Sequence, residues 1–241
     1  MRRHSCSFLI LACILPLVSA DTPVPKSARE ALQPFNDLIG TWRCTGQPSG
    51  SVEDKQKNFW TETLAIEWQF KGKDAWLKFD FSKDKENPKG ELRFLKGELR
   101  YRPATDDFSL TLLTPKKESQ VFTGKLEQRH LILEREAGDV VQRLKFSLWH
   151  ANRFTYGYAT RPASNSRITP HWSVGATKEG QAFAAGDGSP ECIVSGGKGT
   201  IAVSYQGKTY YVCCSGCRSE FNESPQKYID EYAAKKAKKA K

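Results

Sequence analysis

Four cysteines within 26 residues are the part of this sequence best suited to chemistry. Cys192 is followed by 20 residues and then Cys213; Cys214 is adjacent, and three residues separate Cys213 from Cys217. Soft thiolates suit Zn(II), Cu(I) and other thiophilic metals. Two cysteines across a short turn supply one edge of such a site, and a distant cysteine on a preceding knuckle supplies the other. Two other chemistries use the same residues. Cys192 could pair with Cys213 or Cys217 in a disulfide, and Cys213-Cys214-x2-Cys217 could act as a redox thiol group.

The elements that must position these sulfurs can be read locally. Thr200 to Tyr205, a turn at Gln206-Gly207 and Lys208 to Val212 read as a hairpin whose second strand delivers Cys213 at its end. If that strand continued, Cys213 and Cys214 would face opposite sides, so both can reach one site only if the chain turns there. Ser215-Gly216 makes a turn. Cys217 then opens a helix carrying Phe221, Tyr228, Ile229 and Tyr232, and a helix N-terminus favours a thiolate at Cys217. A unit of about 41 residues has little core of its own, which makes a metal a plausible staple.

Several of these residues resemble the YHS/TRASH-type heavy-metal-binding domain. They are Cys192-Ile193-Val194-Ser195-Gly196, the run from Tyr205 to Cys217, and then Phe221, Pro225 and Tyr228. The resemblance covers roughly 45 residues and implies metal handling, trafficking or sensing, with no shared catalytic activity. It implies Cys192, Cys213 and Cys217 as metal ligands, with Cys214 either a fourth ligand or a spare thiol. The Phe, Pro and Tyr positions read as packing and turn residues, and no histidine lies in the unit.

From Trp42 to about Val174 the pattern has period two. Leu64, Ile66, Trp68 and Phe70 alternate with Ala65, Glu67 and Gln69; Leu77, Phe79 and Phe81 alternate with Lys78 and Asp80. Phe108/Leu110/Leu112, Leu131/Leu133, Leu144/Phe146/Leu148 and Phe154/Tyr156/Tyr158 continue it. These are strands with one buried and one wet face. Turn-like stretches at 83–90, 103–107, 115–119 and 137–139 separate them. The expectation is eight to ten antiparallel strands with no long helix, closing on themselves or stacking as a sandwich. A short helix over 28–39, limited by Pro34, precedes them.

Gly40-x-Trp42, after that short helix and at the start of the first strand, resembles the opening of lipocalin-like (calycin) barrels, in which the Trp plugs one end. The implied fold class is mainly β: an antiparallel lipocalin-like barrel plus a small α+β cysteine-containing domain. Cys44 shares the parity of Trp42 and should point inward as a structural thiol. His130, His150 and His171 show no ligand spacing and read as surface or hydrogen-bonded residues.

Composition bounds the rest. The chain has 241 residues, net charge +10, 39% hydrophobic residues and six Trp. Arg2, Arg3, the apolar stretch Phe8 to Val18 and the small-residue site Val18-Ser19-Ala20 read as a signal peptide over 1–20, placing the mature protein in a periplasm or outside the cell. Without Arg2 and Arg3 the charge is +8, and five lysines in the last seven residues leave only +3 for the body. The basic balance is therefore a tail effect and gives no support for nucleic-acid binding. Beyond the signal, no apolar run approaches the roughly 20 residues that span a bilayer. The expected organisation is a barrel domain over 21–179, a linker over 180–191, the cysteine unit over 192–232 and a lysine-rich, helix-compatible tail over 233–241. No HExxH, G-x-S-x-G, Walker or Rossmann motif is present, so an enzyme is not expected. The principal functional expectation is an exported protein binding one thiophilic metal ion, Zn(II) or Cu(I), with Cys192, Cys213, Cys217 and Cys214 as the candidate ligands. The alternative is a lipocalin-like carrier of a small apolar molecule, with the cysteine unit as a staple.

Overall fold

The computed structural model describes residues 26–179 and 190–239. The expected signal over 1–20 lies outside the described residues. So do most of the expected linker and the last two residues of the lysine tail.

Ten strands form the body: β1 (Gly40–Pro48), β2 (Trp60–Lys71), β3 (Asp74–Lys83), β4 (Lys96–Arg102), β5 (Asp107–Leu113), β6 (Ser119–Glu127), β7 (His130–Ala137), β8 (Val140–His150), β9 (Arg153–Pro162) and β10 (Thr169–Lys178). Each pairs antiparallel with its neighbour in sequence, and β1 pairs with both β2 and β10, so the sheet closes. Closure leaves no unpaired edge. This up-and-down order is that of lipocalin-type barrels, which use eight strands.

The alternation read from the sequence sets the two faces. Trp42, Leu64, Ile66, Trp68, Leu77, Phe79, Leu110, Phe122, Leu133 and Phe154 are buried, and the side chains between them are more exposed. Each such side chain contributes about 1.5–3 kcal/mol on burial. β6 has a single buried residue, Phe122, whereas β4 alternates at Gly97 and Leu99. Leu99 and Phe122 hold them in register from either side of Leu110, their cross-strand partner.

The expected helix over 28–39 divides. α1 (Ala28–Leu32) carries a capping box between Ser27 and Glu30, and a 3-10 turn follows over Gln33–Leu38. Pro34, at the start of that turn, has no N–H to continue the α-helical ladder. Phe35 meets Phe108 edge-on at 5.1 Å, and Trp42 Nε1 donates to Leu38 O at 2.7 Å. These contacts seal one mouth of the barrel. A second short helix, α2 (Val52–Lys57), is capped by Ser51 and Asp54 and has no buried residue. The Ser51-x-x-Asp54 spacing is its only sequence signal.

Ahead of the cysteine unit, the carbonyl of Pro190 accepts from Gly199 N. Glu191 bridges to Lys198. β11 (Ile201–Tyr205) and β12 (Lys208–Val212) form the expected hairpin, with positive φ at both Gln206 and Gly207. Such a turn matches the twist of the flanking strands. α3 (Ser215–Glu223) and α4 (Pro225–Lys239) follow. The helix thus starts at Ser215 and not at Cys217, and it is two helices and not one, because Pro225 reopens the ladder at a new first turn. α4 carries the lysine tail as helix to Lys239. Among the described residues no helix is long and apolar enough to cross a membrane.

The unit packs on the sealed mouth. Ser215 Oγ donates to Glu67 Oε2 at 2.9 Å, and Arg29 pairs with Glu231 at 2.6 Å while lying over the Tyr228 ring. Buried residues of barrel and unit form one contiguous apolar cluster.

Candidate metal centre

Each sulfur is placed by a different piece of backbone. Cys192 sits on the knuckle before the hairpin, where its carbonyl accepts from Gly196 N. Cys213 follows the last residue of β12. Cys214 is the N-cap residue of α3, and Cys217 lies in the first turn of that helix. The strand ends at Val212, so the opposite facing expected of adjacent strand residues does not apply. Cys213 Sγ is 3.9 Å from Cys214 Sγ and 3.5 Å from Cys217 Sγ. The sulfurs of Cys192, Cys213 and Cys217 all lie within 4.8 Å of one another, and all three residues are buried. Cys214 is buried beside them but lies outside that group of three. All five cysteines of the described residues are free thiols. A sulfur separation of 3.5 Å is far from the roughly 2.05 Å of a disulfide.

The donor set can be tested against a metal. A Zn–S bond of about 2.3 Å in a tetrahedron gives sulfur–sulfur edges of about 3.8 Å. Within the group of three, Cys213 and Cys217 stand 3.5 Å apart, close to that edge, and Cys192 lies within 4.8 Å of both. The residues present therefore fit a thiophilic ion.

Neighbouring groups orient the sulfurs. Ser195 N donates to Cys192 Sγ at 3.5 Å, and Ser195 Oγ lies 3.4 Å from Cys213 Sγ. Ser195 O accepts from Asn36 Nδ2 at 3.0 Å, and Asn36 Oδ1 accepts from Trp68 Nε1 at 3.0 Å. A chain of polar contacts thus runs from a barrel tryptophan to the cysteines. Such outer contacts fix ligand orientation. Sequence reading missed Ser195, Asn36 and Trp68 in this role, because nothing local links Asn36 to Trp68, 32 positions on, or to Ser195, 159 positions on.

The thiols share protons unequally. Hydrogen bonding from Cys213 and Cys217 holds Cys192 and Cys214 well below the ordinary thiol range. Hydrogen bonding to Cys192 pushes Cys213 up, and burial pushes Cys217 up. The expectation that the helix N-terminus would favour a thiolate at Cys217 is thereby reversed: it is the most deeply buried of the four, and desolvation outweighs the helix end.

The three histidines singled out are each held locally. His130 meets Ser147 Oγ, His150 accepts from Asn152 N, and His171 meets Thr160 Oγ1. None joins a group of potential ligands among the described residues.

A second polar site lies inside the barrel, towards the opposite mouth. Glu62 occupies an inward position of β2, two residues before Leu64, and is 1% exposed. Tyr156 donates its hydroxyl to Glu62 Oε1, and the indole N–H of the neighbouring Trp60 faces the same buried carboxyl. Extending the alternation back from Leu64 finds this residue. Burial raises the Glu62 carboxyl, with Tyr156, Trp60 and Arg93 opposing, and burial also raises Cys44, its cross-strand partner. Cys44 is buried as its parity predicts. Because the folded state holds the Glu62 proton more tightly than the unfolded chain, the contribution of Glu62 to stability is greatest below the ordinary Glu range. It falls as pH rises through the raised value. Glu62→Gln should flatten that decline, read as melting temperature between pH 4 and 8; an unchanged slope would mean Glu62 is ionised throughout.

No protein-family model matches the chain, and no curated protein does. Among solved structures, the chain is similar to the S-type phycobiliprotein lyase CPES from Guillardia theta. Identity is 7%, with a TM-score of 0.36 over 66% of this chain and 96% of that one.

Proposed function

We propose that this is an exported metal-binding protein in which Cys192, Cys213 and Cys217 hold one thiophilic ion, Zn(II) or Cu(I), with Cys214 beside them. The observation that carries the reading is the convergence of three buried sulfurs within 4.8 Å. A bound ion would supply charge neutralisation for thiolates that burial otherwise disfavours. The chain's own residues do the rest: Ser195 orients two sulfurs, the barrel mouth excludes water from one side, and α3 fixes Cys217. The test is elemental mass spectrometry on the mature chain together with a count of reactive thiols. The expected result is about one ion per chain, with thiols that react only after chelation. A metal-free protein with freely alkylated cysteines would refute it. Because an ion bound only by the folded state stabilises it by mass action, chelation should also lower the melting temperature.

A second reading, a carrier of a small apolar molecule, draws support from the closed barrel and from the buried Glu62 carboxyl within it. That carboxyl would meet a ligand's polar end. Native mass spectrometry of the protein from its own host tests this. A co-purifying small molecule whose retention falls in Glu62→Gln supports it, and an empty barrel counts against it.

A further inference from the structure

A cleft of about 240 Å³ lies where the barrel mouth meets the cysteine unit. Asp37, Glu179 and Lys178 line it from the barrel side, and Lys198 and Cys213 from the cysteine unit. It is smaller than the roughly 300–1,000 Å³ of ordinary ligand pockets. At about 30 Å³ per water it holds on the order of eight waters, the space of one amino acid. Cys213 is the most accessible of the four clustered cysteines, at 9% against 1%, 4% and 0% for Cys192, Cys214 and Cys217. The most exposed residue of the cluster is therefore the one that lines the cleft.

Its charge is mixed, with two cations and two carboxylates. Lys178 is held rather than free to swing: its Nζ donates to Asp37 O at 3.1 Å and lies 5.0 Å from the Trp42 ring centroid. Gly40 makes room for it, since a Cβ there would stand 2.9 Å from Lys178 Cε. Burial lowers the Lys178 ammonium to about 8, so its charge is incompletely solvated and favours an anionic partner.

Resting on the metal reading above, we propose that this cleft seats a small zwitterionic aminothiol that exchanges the metal with Cys213. The lysines take its carboxylate, Asp37 and Glu179 take its ammonium, and its sulfur is left beside Cys213. In the exchange the carrier's metal–sulfur bond breaks as a metal–Cys213 Sγ bond forms. The Cys213 proton passes to the departing carrier sulfur. No electrons are gained or lost, and the step needs only the carrier complex and the thiol.

The test uses the full mature chain, metal-free, and Zn(II) delivered as its complex with cysteine, with cysteamine or with 3-mercaptopropionate. Quenched-flow separation followed by elemental analysis gives transfer rates, and equilibrium loading is measured separately. Cysteine delivery should saturate and run about tenfold faster than either half-molecule, the effect of one lost charge-assisted contact. Lys178→Gln, or Lys198→Gln as a second variant on the other wall, should reduce cysteine delivery towards the cysteamine rate with final loading unchanged. Equal rates for the three donors, with full loading, would overturn the proposal and leave the metal reading standing. Absence of metal from every donor would remove both.

Discussion

Replacing Cys192 and Cys217 together by serine should abolish metal loading while the barrel stays folded. Structural zinc contributes about 10–16 kcal/mol across its ligands. Removing two of three or four sulfurs then weakens binding on the order of 10⁴-fold. The pair is chosen because Cys192 comes from the knuckle and Cys217 from α3, so no single local rearrangement rescues both. Cys214→Ser should weaken binding least within the cluster, as Cys214 lies outside the group of three. Cys44→Ser should leave loading unchanged, because Cys44 is buried on β1 within the barrel and takes no part in that group. Chelator competition on the four proteins reads all of this, with near-ultraviolet circular dichroism reporting the barrel. Full loading of the double variant would show that the converging sulfurs are not the site.

The second large effect is expected at Gly216. A Cβ there would stand 1.7 Å from the backbone oxygen of Trp68. Both sides of that contact are main chain, one in α3 and one in β2, so neither can yield as a side-chain tip would. Gly216→Ala must therefore lift α3 off the barrel mouth. That movement strains the Ser215–Glu67 hydrogen bond and tilts Cys217 away from Cys213. Overpacking of this kind costs about 3 kcal/mol. The expected results are a lower melting temperature, earlier proteolytic release of the segment after residue 190, and weakened metal binding with every cysteine present. Gly175→Ala is the control, since an added Cβ there meets nothing within 4 Å. If Gly216→Ala bound metal as tightly as the parent, docking on the barrel would have no part in organising the sulfurs.

Much of this architecture is legible in the chain because its cause is local. Alternation at Leu64, Ile66 and Trp68 assigns a face to each residue of β2, whatever the partner strands are. Gln206-Gly207 between two apolar runs fixes a hairpin from neighbouring residues alone. Pro34 limits the first helix for a reason internal to its own peptide unit. Where the local signal thins, the structure differs: α3 starts at Ser215, two residues before Cys217, because Ser215-Gly216 reads as a turn until Trp68 packs against it. The unfavoured thiolate at Cys217 has the same origin, because burial is a property of what surrounds the helix and not of its sequence.

The sequence by itself determined the strand faces, the hairpin, the inward Trp42 and Cys44, and the spacing that makes a thiol cluster conceivable. Only the tertiary structure decided that β10 closes on β1, that the cysteine unit covers the mouth sealed by α1, and that Asn36 and Ser195 tie Trp68 to the sulfurs. It also decided that the Glu62 carboxyl is buried in the barrel against Tyr156. The reason is the range of the interactions. Period and turn chemistry act over two to four residues, whereas these contacts join positions from tens to more than 150 residues apart and exist only once the barrel has closed.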